Sequence, residues 1–113
     1  QPAEPVSLEA LMRRQQQVFA GFQATNHSIT NHRITLHGDI ADIRAHLRAE
    51  HWVAPELAEP GHNCWLVVGF YDDEAVRTVD GWRIRRVRLT PTYQENTHLL
   101  GVAVAEGKRI LGG

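Results

Sequence analysis

The stretch that decides the fold runs from Thr25 to Trp52 and reads TNHSITNHRITLHGDIADIRAHLRAEHW. Its second half alternates strictly between two kinds of residue. Apolar or small side chains, with a histidine as the last, occupy the odd positions: Ala41, Ile43, Ala45, Leu47, Ala49 and His51. Charged or polar side chains occupy the even positions between them: Asp42, Arg44, His46, Arg48 and Glu50. Such alternation is typical of a strand with one buried and one wet face. We predict a strand over residues 40–52.

The first half of this stretch is less regular, and the irregularity is informative. Ile34 and Leu36 stand at even positions, whereas His27 and Ile29 stand at odd ones. If both pairs point inward, the alternation slips once around residues 31–33. One extra residue in a strand is a β-bulge, which bends the sheet. We therefore predict a curved sheet with His27 on its inner face.

A second hairpin is predicted further along the chain, with strands over Cys64–Val79 and Trp82–Thr90. Asp80-Gly81 is the strongest turn signal, because a type I′ turn needs positive φ at both central residues. Pro91 is expected to end the sheet. The alternation slips again after Ile84, and two bulges on long strands predict strong curvature.

A helix is predicted before the sheet, with Ser7 as its N-cap and its end near Gly21. Its apolar residues recur at spacings of three and four: Leu8, Leu11, Met12, Phe19 and Phe22. Residues 53–63 are expected to form a loop with one helical turn, and residues 99–105 a short helix or an edge strand. The predicted class is α+β, a curved antiparallel sheet packed on an N-terminal helix, forming one domain over residues 1–113.

Composition limits the possible functions. The 113 residues suffice for one compact domain, and 42% of them are hydrophobic. A formal net charge of −1 leaves no electrostatic footprint for nucleic acid or an anionic membrane. Cys64 is the single cysteine, which excludes an internal disulfide and is typical of a reducing compartment. We expect a cytoplasmic protein. Because residue 1 is not Met, two origins stay open: a piece of a longer gene product and a naturally shortened version of the domain.

Several short sequence motifs resemble those of a known family. Asn26–Asn31 resembles the motif H-x-x-x-N, and Leu36–Ala41 contains the motif G-D-x-A. Gly69–Glu74 followed by Arg77–Ile84 resembles G-x-Y-x-D followed by R-x-x-x-G-W-x-I. Over roughly residues 8 to 105 the chain is similar to SnoaL-like domains of the NTF2-like superfamily, the group of polyketide cyclases, scytalone dehydratase and dehydrochlorinases.

This resemblance implies a cone in which the curved sheet makes one wall of a pocket for a small apolar molecule. It implies no cofactor, and association as a homodimer through the outer sheet face. Family members begin with two further helices and a short strand that close the cone. Nothing precedes the helix at Ser7, so an incomplete cone is expected, resembling the C-terminal two-thirds of the fold.

The resemblance also suggests proton-transfer chemistry at His27 and His51. Histidine is a good general acid or base because its pKa lies near working pH. In related dehydratases and dehydrochlorinases, histidines at similar-looking positions move a proton together with an aspartate from the first helix, which has no match here. Two functions stay open: a lyase, isomerase or cyclase acting on a small apolar carbonyl compound, and a non-catalytic ligand-binding or oligomerisation domain.

Five further residues are candidates for contact with a ligand: Asn31, Leu47, Trp52, Trp65 and Tyr71. Leu47 would form part of the apolar wall, and the two tryptophans would lie at the pocket mouth. Asn31 is favoured as a residue that satisfies the backbone at the bulge. Tyr71 is favoured as the partner of Trp82 in a cross-strand aromatic pair.

Metal binding is not expected. His27, His32 and His37 are five residues apart, so regular alternation would put them on different faces of a strand. Cys64 has no local signature of a nucleophile. The arginines at 83, 85, 86 and 88 are the one basic cluster, and they are expected to pair across the hairpin with the acidic residues at 72–74.

Overall fold

The computed structural model describes residues 7–112. Four strands form one sheet in the order β1-β2-β3-β4, and a helix lies at each end of the described chain. The elements are α1 (Leu8–Ala20), β1 (Ala24–His37), β2 (Ile40–Trp52), a 3-10 turn (Pro55–Leu57), β3 (Cys64–Thr78), β4 (Gly81–Glu95) and α2 (Leu99–Leu111). The predicted α+β class with a four-stranded antiparallel sheet is confirmed.

The chain divides into two compact units. The helical unit comprises the described parts of residues 1–25, 51–65 and 96–113. The sheet unit comprises residues 26–50 and 66–95, which are most of the four strands. Each unit is described by itself below.

The helical unit is built on a small apolar core. Phe22, Val53, Leu99 and Ala103 are buried in it, and Trp65 packs against them. Ser7 caps α1 as predicted, since its Oγ accepts a hydrogen bond of 3.1 Å from the amide of residue 10. The core is small because the two helices meet through small residues.

Two glycines allow that approach of α1 and α2. A Cβ at Gly21 would overlap the backbone carbonyl of Ala103, and a Cβ at Gly107 would overlap the backbone carbonyl of Gln17. α2 runs to Leu111, so the alternative between a short helix and an edge strand is settled as a helix longer than predicted. No helix within residues 7–112 is long and apolar enough to cross a membrane.

The sheet unit has two unlike faces, as the alternation along β2 predicts. Ala41, Ala45, Leu47 and Ala49 are buried, and the charged residues between them are exposed or half-buried. We call the side of the sheet that carries these buried residues the apolar face and the other side the polar face. Each later assignment of a side chain to a face rests on this alternation.

The first predicted bulge is confirmed at Asn31. On the polar face, the Asn26 Nδ2 donates to Glu50 Oε1 at 3.3 Å, and Asn31 Nδ2 lies 3.5 Å from His46 Nδ1. The two contacts are five residues apart on β1 (26 and 31) but only four apart on β2 (50 and 46), so β1 contains one extra residue between them. Asn31 has φ 57°, a conformation that asparagine tolerates better than most residues. Because of this slip, residues 27 and 29 share the apolar face with residues 34 and 36.

The pairing of β3 with β4 confirms the second slip and adds another. Glu74 lies opposite Arg86 and Ala75 opposite Ile84, so one residue of β4 is extra there. A further shift between Val68 and Gly69 leaves an extra residue beside Pro91. The prediction that Pro91 ends the sheet is wrong, because β4 continues to Glu95. Proline is tolerated here because β4 is an edge strand with an irregular register at this point.

The turn between β3 and β4 also differs from the prediction. The loop is Val79-Asp80, with Thr78 opposite Gly81, and positive φ occurs at Gly81 alone (104°). A type I′ turn would need positive φ at both loop residues, so that assignment is wrong. The Thr78 side chain holds the turn instead, since its Oγ1 donates to the Gly81 carbonyl at 2.7 Å and accepts from the Asp80 amide at 3.2 Å.

Substitution of the two glycines inside α2 tests the helix contact. Gly107→Ala should lower the free energy of unfolding by about 1–3 kcal/mol or more, because the new Cβ must push α1 away. Gly101→Ala is the matched control: its Cβ would meet open space, and alanine is the better helix former, so we expect a gain of roughly 0.5–1 kcal/mol. Urea unfolding measures both, and equal effects of the two substitutions would contradict the close packing.

Candidate functional site

A recess of about 400 Å³ lies on the apolar face of the sheet unit. Its walls come from all four strands, near the ends where the two hairpins turn: Ile34, Leu36, Ala41, Ile43, Ala75, Arg77, Trp82, Arg83 and Ile84. Three large apolar side chains in it are more than half exposed, Ile34 at 61%, Leu36 at 64% and Ile84 at 58%. Such a volume and lining are typical of small-molecule sites.

The aromatic wall of the recess is held in place by an arginine. The Arg77 guanidinium carbon lies 4.8 Å from the centre of the Trp82 ring, and Arg77 Nε lies 3.4 Å from Asp39 Oδ1. Trp82 lies opposite Arg77, and Tyr71 lies opposite Leu89. The predicted Tyr71–Trp82 aromatic pair is therefore wrong, because the register separates the two residues along the hairpin.

His51 is the one histidine of the described chain that is buried, with 5% of its surface exposed. Its Nδ1 lies 2.9 Å from the carbonyl oxygen of Trp65. Its ring lies 4.4 Å from the Trp65 ring and 5.2 Å from the Phe22 ring, measured between centroids. All of these groups belong to the helical unit, where they bring His51 and Trp65 together as two of the predicted site residues.

The Trp65 carbonyl determines the chemistry available to His51. A carbonyl oxygen only accepts hydrogen bonds, so Nδ1 carries the hydrogen. In the neutral imidazole Nε2 then holds the lone pair, which is the form that can remove a proton from a substrate. Fixing a histidine tautomer through a backbone carbonyl is a common arrangement in functional sites.

His27 lies on β1 in the sheet unit and is exposed. The bulge places it on the apolar face, as predicted, and it places His32 there too. The prediction that alternation separates His27, His32 and His37 is therefore wrong in part. His37 alone turns to the polar face, where its Nε2 lies 3.2 Å from Asp42 Oδ2. Within residues 7–112 no group of three or more His, Cys, Asp or Glu side chains is placed to hold a metal ion.

The other predicted ligand contacts are spread over the fold. Leu47 is buried on the apolar face of the sheet unit. Trp52 is half-buried in the helical unit, where its carbonyl accepts a hydrogen bond of 2.7 Å from the Gln23 amide. Asn31 lies at the bulge with its side chain on the polar face, which favours the backbone role. Contact of these residues with a ligand stays a prediction.

The polar face carries a groove of about 410 Å³ lined mainly by charged residues: Arg33, Thr35, Asp42, Ile43, Arg44, Asp72, Asp73, Arg86 and Arg88. The charges are largely matched. Arg44 lies 3.9 Å from Asp72, and Arg85 donates to Glu74 from Nε at 2.7 Å. This hydrogen bond lowers the pKa of Glu74, against a smaller opposing effect of desolvation. Cross-strand pairing of the basic cluster is confirmed for Glu74.

Asp73 was not recognised as a site residue from the sequence. It lies opposite Val87 on β4 and, together with Asp72, is one of the residues that line the charged groove. Its Oδ1 is buried and has no hydrogen-bond partner among the described residues.

Comparison with known proteins gives a consistent result. A family model described as a SnoaL-like domain matches residues 2–88. No protein with a curated description matches significantly. Among solved structures, the Kfla4162 protein from Kribbella flavida is 50% identical with a TM-score of 0.81, and the match covers 89% of this chain and 68% of that one.

Two more distant structures share the fold. A protein provisionally named scytalone dehydratase from Novosphingobium aromaticivorans is 23% identical with a TM-score of 0.57, over 68% of this chain and 49% of that one. A type 2 hexachlorocyclohexane dehydrochlorinase, LinA, is 17% identical with a TM-score of 0.56, over 67% of this chain and 49% of that one. The chain thus spans about half the length of both proteins.

The tautomer of His51 can be measured directly. In neutral His51 the proton should reside on Nδ1, because the Trp65 carbonyl accepts from that atom. Long-range ¹H–¹⁵N NMR at alkaline pH distinguishes the two ring nitrogens. His62, which is exposed, serves as the control. A proton on Nε2 of His51 would contradict the described hydrogen bond.

Proposed function

The chain belongs to the SnoaL-like domain family, and from this premise we propose that its sheet forms one wall of a pocket for a small apolar molecule. The apolar recess is the observation that carries the proposal. Its large side chains stay exposed within the described chain, although the burial of each one would stabilise the folded protein by roughly 1.5–3 kcal/mol. An apolar ligand that covers them would recover part of that free energy.

The names of distant structural neighbours support the same class of ligand. One is provisionally a scytalone dehydratase, and the other acts on hexachlorocyclohexane, a small apolar ring compound. One fold hosts many chemistries, so these names support a size and polarity of ligand rather than an identity. A recess of about 400 Å³ accommodates a compound of two fused rings.

Binding of a fluorescent apolar probe tests the proposal. Anilinonaphthalene sulfonate should bind at one saturable site, and Ile84→Ser should weaken its affinity by about tenfold, which corresponds to roughly 1.4 kcal/mol of lost apolar contact. Val79→Ser is the control, because Val79 is a fully exposed apolar residue in the β3–β4 turn outside the recess. The absence of saturable binding, or an equal loss in both variants, would contradict a site in the recess.

Proton transfer is the second candidate function that we propose, and the hydrogen bond that fixes the tautomer of His51 supports it. With Nδ1 held by the Trp65 carbonyl, Nε2 of the neutral ring can take a proton from a carbon next to a carbonyl group. The same nitrogen can then return the proton at another carbon or to a leaving group. These steps belong to isomerases, cyclases and lyases that act on small apolar carbonyl compounds. We propose His27 as a second proton-transfer group on the same chemical grounds.

Deuterium exchange into a model ketone tests proton transfer without knowledge of the substrate. The protein should accelerate exchange of the α-protons of tetralone in deuterated water, as followed by NMR. His51→Gln and His27→Gln should each reduce this acceleration by about 10²–10⁴-fold while probe binding persists. His62→Gln is the matched control at an exposed histidine.

The same assay distinguishes the non-catalytic alternative. If both glutamine variants exchange at the rate of the unchanged protein, the histidines are not catalytic. Ile84→Ser should weaken binding in either case, because Ile84 lines the recess. A domain that only binds its ligand would therefore respond to Ile84→Ser and tolerate both histidine substitutions.

A further inference from the structure

Trp65 supplies two of the groups that orient His51. Its carbonyl oxygen lies 2.9 Å from Nδ1 of His51, and its ring lies 4.4 Å from the imidazole between centroids, with the two planes 25° apart. The tautomer of His51 depends on the carbonyl, because that contact places the hydrogen on Nδ1 and leaves the lone pair on Nε2. The direction of the Trp65 backbone therefore determines whether His51 can act as a base.

The backbone next to Trp65 is held by an asparagine that was not recognised from the sequence. Asn96 Nδ2 donates a hydrogen bond of 2.8 Å to the carbonyl oxygen of Cys64, which belongs to the peptide group that joins Cys64 to Trp65. The register between β3 and β4 begins at Leu66 opposite Glu95, and the asparagine follows directly after that pair. Its side-chain amide thus adds one more hydrogen bond at the start of β3.

The position of Asn96 is itself fixed by its backbone. Its φ of 56° lies in the left-handed region, which asparagine, aspartate and glycine tolerate better than other residues. The chain passes here from β4 to α2, and the Asn96 carbonyl accepts a hydrogen bond of 3.0 Å from the amide of Leu99, a fully buried core residue. The side chain of Asn96 therefore ties the start of α2 to the start of β3.

We propose that Asn96 is a positioning residue for His51. Its amide holds the Cys64–Trp65 peptide so that the Trp65 carbonyl keeps the imidazole hydrogen on Nδ1. This inference rests on the proposed proton transfer at His51 and adds a residue to it. Asn96 acts through Trp65 and exchanges no proton with the substrate.

The substitution Asn96→Gly separates the amide donor from the backbone conformation, because glycine adopts positive φ without strain and has no side chain. In neutral His51 of this variant, the ratio of the Nε2–H to the Nδ1–H tautomer should rise about three- to tenfold, as expected when one hydrogen bond weakens. Long-range ¹H–¹⁵N NMR at alkaline pH measures this ratio. Asn31→Gly is the matched control: Asn31 also has positive φ (57°), but its side chain lies near His46 in the sheet unit. It should leave the His51 tautomer unchanged.

Exchange of the α-protons of tetralone provides a second measurement. Asn96→Gly should lower the rate constant at saturating ketone by about threefold or more, because a misdirected base loses productive geometry. The affinity for anilinonaphthalene sulfonate should stay within about twofold, since Asn96 does not line the recess. In a His51→Gln background, the same substitution should have no further effect on exchange, because Asn96 acts through His51.

Asn96→Asp is measured if the glycine variant does not fold. Aspartate has nearly the same shape and tolerates positive φ, but the ionised carboxylate has no donor for the Cys64 carbonyl. The same rise in the Nε2–H tautomer is expected.

The outcomes separate the two proposals. An unchanged tautomer ratio in the Asn96 variants would overturn the positioning role, even if they unfold at a lower urea concentration, because a residue that only stabilises the fold would behave in that way. A further loss of exchange on adding Asn96→Gly to His51→Gln would overturn it as well. If the unchanged protein does not accelerate exchange, proton transfer is contradicted, and the NMR ratio still decides whether Asn96 positions His51.

Discussion

Strand β1 contains one residue more than β2 between the two side chains that contact Glu50 and His46. The chemistry of the sheet depends on that extra residue. Side chains alternate between faces along a strand, so one inserted residue exchanges the faces of everything beyond it. Without the bulge at Asn31, Ile34 and Leu36 would leave the apolar face, and Arg33 and Thr35 would take their place. The recess would then lose one of its walls.

The two faces of the sheet differ in their chemistry. On the polar face, carboxylates and guanidinium groups neutralise one another across the strands, as at Glu74 and Arg85. Such exposed pairs contribute little stability individually, yet they leave no strong field for a charged partner. On the apolar face, large side chains remain exposed in the described chain. This exposure is unfavourable in isolation and becomes reasonable in a binding site.

Much of this arrangement could be predicted from the sequence, because strand alternation is a local signal. The faces of β2, the slip near Asn31 and the capped helix α1 follow from residue order alone. Pairing partners could not be predicted, since they depend on register between strands. Tyr71 and Trp82 were expected to pair for that reason, whereas Tyr71 lies opposite Leu89 and Trp82 opposite Arg77. A bulge of one residue is enough to reverse such assignments.

The central claim is that the apolar face, and not the polar face, is the binding surface. Side-chain ¹H–¹³C NMR with naphthol as the probe tests it most directly, because the side chains of neighbouring residues in a strand lie on opposite faces. We predict the largest side-chain shifts at Leu36, Ala75 and Ile84, with Thr35 and Asp42 nearly unaffected. Shifts centred on Thr35 and Asp42, or no residue-specific shifts at saturating probe, would contradict the account.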